Sequence, residues 1–142
     1  MIEPSNRDLL VAVADALRTR IVPICAADAW ASSELRSIDA VLAIVTARLE
    51  HEDDVVAEDN AELRPLLAGL RAAGVPVPVP TSMDEDDPRA ANLEMRTALE
   101  ATLQALHDGT HPDELASVRG YLVAATRREQ RLYGPLTGRR LF

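Results

Sequence analysis

The chain is 142 residues long, 47% hydrophobic but only 3% aromatic, with 15 basic residues, 23 acidic ones and a net charge of −8. One domain of ordinary size fits this length, its core built from Leu, Val, Ile and Ala, the usual filling between helices. The acidic balance argues against general affinity for nucleic acid or anionic membrane, and every basic residue is Arg, which rules out a P-loop, Schiff-base or general-base lysine.

Ser5 caps a first helix, with Asp8 as the acid that reaches back to it. Leu10, Val13, Leu17, Ile21 and Ile24 recur at steps of three and four, so the helix is predicted to run to about Val22, where Pro23 ends or bends it. After a connection over 25–31, Ser32 or Ser33 caps a second helix. Leu35, Ile38, Leu42, Val45 and Leu49 repeat the spacing there, and Val41 and Ile44 widen the stripe, making it the strongest helix in the chain.

Glu50 to Glu62 holds seven acids and no Arg, which predicts a solvated helix end or loop. A third, shorter helix follows, capped by Asp59 or Asn60, with Leu63, Leu66, Leu67 and Leu70 on its apolar face and Gly74 before Pro76 as its stop. Residues 75–87, with alternating Val and Pro and then Asp84-Glu85-Asp86-Asp87, read as a mobile Pro- and acid-rich loop.

Asp87-Pro88 opens a fourth helix through about His107, with Met95, Leu99, Leu103 and Leu106 as its stripe and Gly109 closing it. Thr110, Pro112 and Asp113 open a fifth, whose Leu115, Val118, Leu122, Ala125 and Leu132 point inward before Gly134-Pro135. Residues 135–142 form a tail. The fold expectation is a single all-α domain: an antiparallel bundle of four main helices plus a shorter fifth, with one long loop.

The catalytic inventory reads as empty. His107 and His111 are separated by Gly109 and followed by Pro112, so they do not share a helix face as zinc ligands would. His51-Glu52-Asp53-Asp54 lacks the glycine turn and spacing of a calcium loop. His107-Asp108-Gly109 is followed by no asparagine that could hold a phosphotransferase metal. Cys25 has no histidine near it in sequence and no Gly-x-Ser-x-Gly elbow exists. No catalytic residue, cofactor or metal is expected.

Two polar features remain. Asp39 sits beside the apolar stripe of the second helix with Arg36 three residues earlier, either as a local surface salt bridge or as a polar contact at an interface; the two would also line any ligand pocket between helices. Charge is segregated as well: residues 115–142 carry six Arg and one acid, residues 1–114 nine Arg and 22 acids. Arg127, Arg128 and Arg131 complement the negative end of the fifth helix, or else they join Arg139 and Arg140 in contacting an acidic partner or phosphate, with Phe142 as an apolar anchor in the tail.

Residues 6–18 (Asn-Arg-Asp-Leu-Leu-Val-Ala-Val-Ala-Asp-Ala-Leu-Arg) and 36–50 (Arg-Ser-Ile-Asp-Ala-Val-Leu-Ala-Ile-Val-Thr-Ala-Arg-Leu-Glu) resemble a family of small helical bacterial proteins. Its genes commonly neighbour aminoglycoside-phosphotransferase-like kinases and acyl-CoA dehydrogenases. One member is the small subunit that accompanies the hydroxyacyl-CoA kinase of levulinate catabolism. Arg36 is the matching polar position, whereas the family's asparagine falls at Ala40 and its Arg-Glu at Ala47-Arg48. The resemblance implies a noncatalytic accessory subunit of such a kinase. The alternative is a self-associating helical homo-oligomer with a structural or ligand-binding role. The start Met1-Ile2-Glu3-Pro4 lacks a basic and apolar leader, and no apolar run approaches a membrane span; a cytoplasmic setting without membrane contact is the expectation.

Overall fold

The computed structural model describes residues 4–79, 87–107 and 111–133, all of whose regular structure is helical. Elements are α1 (Asn6–Ala16), a π-helical segment (Leu17–Ile21), α2 (Val22–Cys25), α3 (Ala29–Ala72), α4 (Pro88–Leu106) and α5 (Pro112–Tyr133). The chain divides into two compact units, residues 1–52 with 130–142, and residues 53–129.

Local chemistry explains the helix starts. Ser5 and Asp8 form the expected capping box, the Ser5 hydroxyl accepting from the Asp8 amide at 3.2 Å and the Asp8 carboxylate from the Ser5 amide at 3.1 Å. Hydrogen bonds from Ser5 hold the Asp8 carboxyl below the usual range. At α4, the Asp87 carboxylate accepts from the Arg89 and Ala90 amides at 3.0 and 3.1 Å with Pro88 in the first turn. The caps expected from Ser32 or Ser33 lie four or five residues too late, for Asp28 caps α3 by accepting from the Ala31 amide at 3.0 Å.

The second and third predicted helices are one helix of 44 residues. The acidic run expected to be solvated carries its own anchors: Val55 is buried, as are Asp59 and Asn60. Arginines distant in sequence answer its carboxylates, Arg89 at Asp53 and Arg96 and Arg128 at Asp59. Pro65 forgoes one backbone bond, to the Ala61 carbonyl, and sits at an exposed position.

Helix α3 ends in a Schellman motif. Gly74 adopts φ +83°, its amide donates to the Arg71 carbonyl and the Val75 amide to the Leu70 carbonyl, each at 3.0 Å. Val75 is buried, Val77 packs on the core, and Arg71 donates to the Pro78 carbonyl at 2.8 Å. Residues 75–78 of the segment expected to be a mobile loop are thus tied to the rest of this unit, whereas Val79 is exposed; residues 80–86 lie outside the described residues, as do Gly109, Thr110 and the tail.

The core belongs to unit 53–129, where Leu63, Leu67, Leu70, Val75, Met95, Ala98, Leu99, Leu106, Val118, Tyr121 and Ala125 form one buried cluster. Most of the expected stripes of α4 and the latter half of α3 are there. On α5 the inward line is Val118, Tyr121, Ala125, Arg128 and Leu132. Leu122, expected inward, is 43% exposed, because a run at steps of three and four that starts at Val118 passes through 121 and 125.

In unit 1–52 with 130–142 the buried side chains among the described residues are Ala14, Ala47 and Leu132. Helices α1 and α3 run antiparallel there, with Arg7 Nε 3.4 Å from Glu50 and Arg18 2.7 Å from Asp39. The apolar stripe of 35–49, expected to face a core, is instead largely open to solvent: Ile38, Val41, Val45 and Leu49 are all exposed.

Candidate partner-binding site

Among the described residues, a dense cluster of ionisable groups around Asp59 serves the fold. Asp59, 1% exposed, accepts four hydrogen bonds: at Oδ1 from the Tyr121 hydroxyl (3.0 Å) and Arg128 Nη2 (2.7 Å), at Oδ2 from Arg96 Nε (2.9 Å) and Asn92 Nδ2 (2.8 Å). Glu129 holds Arg96 and Glu62 holds Arg128, each at 2.7 Å, while Asn60 accepts from Asn92 and donates to the Pro88 carbonyl.

Burial pushes the Asp59 carboxyl up, but the hydrogen bonds from Asn92, Arg128 and Arg96 outweigh it and hold the group below the usual carboxylate range. Burial and the neighbouring Asp59 push the Tyr121 hydroxyl up to about 12. Burial opposes the charge on Arg96 and Arg128, and the acids around them more than offset it, so both are raised. The surroundings thus favour the charged forms of Asp59, Arg96 and Arg128, and the hydrogen bonds among them make the cluster a cross-brace for α3, α4 and α5.

This reassigns Arg128. Expected as a partner-binding residue, it is buried against Asp59, Glu62 and the Tyr121 ring, whose centroid lies 5.8 Å from its guanidinium carbon. Its position on the inward line of α5 gives the reason. Arg127 and Arg131 are exposed, and Arg139, Arg140 and Phe142 lie outside the described residues.

Arg36 and Asp39 come together at the turn of the N-terminal hairpin, in a cleft of about 400 Å³ whose lining also includes Leu17, Arg18, Val22 and Leu35. The cation at 2.7 Å from Asp39 is Arg18, 21 residues away, where sequence spacing pointed to Arg36. Arg18 also lies 3.8 Å from Asp15. Asp39 is thereby neutralised within the hairpin, and the Arg36 side chain lies exposed at the rim.

The turn owes its shape to Pro23. In an α-helix its ring would clash with the Thr19 carbonyl and its nitrogen would leave that carbonyl without a donor. The chain widens to a π-helical turn just before it, the Val22 amide donating to the Leu17 carbonyl. After α2, the Cys25 carbonyl accepts from both the Asp28 amide and the Ser32 hydroxyl at 3.0 Å, closing the turn on the start of α3. Two large apolar side chains stand outward here: Ile24 is 78% exposed and Trp30, the chain's single tryptophan, 74%.

Sequence reasoning passed over Trp30 because it falls in a segment read as a connection. The available signal was a lone Trp, in a chain nearly free of aromatics, just after a capping aspartate. Among the described residues no group of three or more His, Cys, Asp or Glu side chains is arranged to hold a metal ion, and no helix is long and apolar enough to cross a membrane.

Comparison with known protein families, with curated proteins and with solved structures found no match.

Proposed function

We propose that this chain is a noncatalytic accessory subunit that binds protein through the turn of its N-terminal hairpin, and that the enzyme it serves is a phosphotransferase-like kinase acting on a hydroxyacyl-CoA. The observation that carries the binding reading is that Ile24 and Trp30, both within the turn segment, stand largely in solvent, while the same end of the hairpin holds a cleft with the exposed Arg36 in its lining. Trp and Arg are the residues over-represented among those that dominate interface energies. A rigid turn presents them with little ordering cost. The kinase as partner is supported by the resemblance of residues 6–18 and 36–50, which are the two helices that flank this turn.

The catalytic lysine-, metal- and nucleotide-dependent steps fall to the partner in this scheme, and the chain contributes a docking element. Co-expression of the tagged chain with a phosphotransferase-like kinase from the same organism tests it. The expected result is a co-purifying complex that the Trp30→Ala/Ile24→Ser variant fails to form. Co-purification unaffected by that variant refutes the turn as the site, and absence of any complex refutes the kinase as partner.

A further inference from the structure

The flank of the hairpin poses a separate question from its turn. Successive helical residues are about 100° apart, and the ion pairs Arg7–Glu50 and Arg18–Asp39 fix an antiparallel register. Leu9 and Val13 on α1, and Ile38, Val41, Val45 and Leu49 on α3, then fall on the side of the pair away from the groove lined by Ala14, Ala43, Ala47 and Arg131. Their exposures are 51, 49, 45, 57, 39 and 53%.

We infer that this face is covered by the same face of a second copy of the chain, the two hairpins closing into an intermolecular helical bundle. Three observations select this occupant. First, Leu35, Ile38, Leu42, Val45 and Leu49 follow alternating steps of three and four, the seven-residue repeat of a helix that packs lengthwise on another helix. Helix α1 does not use up that seam, since Ile38, Val45 and Leu49 stay exposed. A twofold axis brings such a seam against its own copy, the same patch on both sides.

Second, the area fits. Six aliphatic side chains at half exposure leave on the order of 500 Å² of apolar surface, to which half-buried Leu10 adds, against about 800 Å² per partner in a standard interface. Such a patch is at the upper end of what a monomer leaves open.

Third, the charge permits it. Residues 6–50 carry five Arg and six acids, so the hairpin is close to neutral although the chain as a whole stands at −8; two copies approaching by this face escape the repulsion that the rest of the chain would impose. An acidic or basic partner gains nothing from such a face.

Size-exclusion chromatography with light scattering on the purified chain tests the inference. The expected mass is twice 15.4 kDa at micromolar concentration, and Val41→Glu/Val45→Glu, at positions already open to solvent, should halve it while circular dichroism stays helical. The milder Val41→Ala should raise the dimer dissociation constant at least about tenfold. A wild-type mass of 15.4 kDa at tens of micromolar, or a double variant that remains dimeric, would overturn it. A chain monomeric alone whose hairpin face becomes protected only in a complex with the kinase would assign the face to that partner and overturn it too. Failure of the kinase to co-purify with an intact dimer would sink only the functional reading, since the two rest on different surfaces.

Discussion

Replacing Asp59 by Asn removes one charge and almost no volume from the centre of the three-helix core. The carboxylate accepts from four donors, two of them guanidinium groups. An amide in its place retains one acceptor oxygen and turns the other position into a donor, set against either the Arg96 Nε and Asn92 amide pair or the Tyr121 and Arg128 pair. Breaking a buried ion pair from one side costs about 3–5 kcal/mol. Arg96 and Arg128 keep Glu129 and Glu62, each at 2.7 Å, so neither cation is stranded and the lower end, about 3 kcal/mol, is the expected loss. That is a large share of the roughly 5–15 kcal/mol of a typical domain and lowers the melting temperature by on the order of 10 °C. Urea unfolding followed by far-ultraviolet circular dichroism measures it. A loss below about 1 kcal/mol would mean that the network is dispensable and that apolar packing alone aligns the three helices.

The same carboxylate sets an acid limb. Its folded pKa lies below the ordinary value, so its stabilisation is complete above the unfolded pKa of about 3.9 and is lost as pH falls through the folded value; acid titration of stability should show this limb in the wild type and a flatter one in Asp59→Asn. Gly74→Ala should destabilise by about 1–2 kcal/mol, because φ there is +83°. Gly69→Ala and Gly120→Ala, in helices with open space around the added methyl, should each raise stability by about 0.5–1 kcal/mol. Thermal melts of the three variants check both signs at once.

Helix starts were legible wherever the cap lies next to the helix in sequence, as at Ser5-Asp8 and Asp87-Pro88, and so was the stripe of α4. The continuity of α3 through its acidic run was not. What holds that run are Arg89, Arg96 and Arg128, brought from 36, 37 and 69 residues away, and spacing along the chain carries no trace of them. For the same reason Arg128 read as a surface residue and Asp39 was matched to its neighbour Arg36 in place of Arg18. The stripe of residues 35–49 exposes a different limit: periodicity shows which side chains share a face, and here that face meets solvent within one chain. The turn was half legible, since Pro23 marked a bend, but which side chains the widened helix throws outward depends on its register.

In the accessory-subunit role proposed above, association with the partner turns on Trp30. Calorimetric titration of a purified phosphotransferase-like kinase with the wild-type chain and with Trp30→Ala addresses it directly, with the oligomeric state of both confirmed as equal. The account predicts a measurable dissociation constant for the wild type and one at least about 30-fold weaker for the variant, the effect of losing an interface residue worth 2 kcal/mol or more. Equal affinities would contradict it, and so would the absence of binding by the wild type.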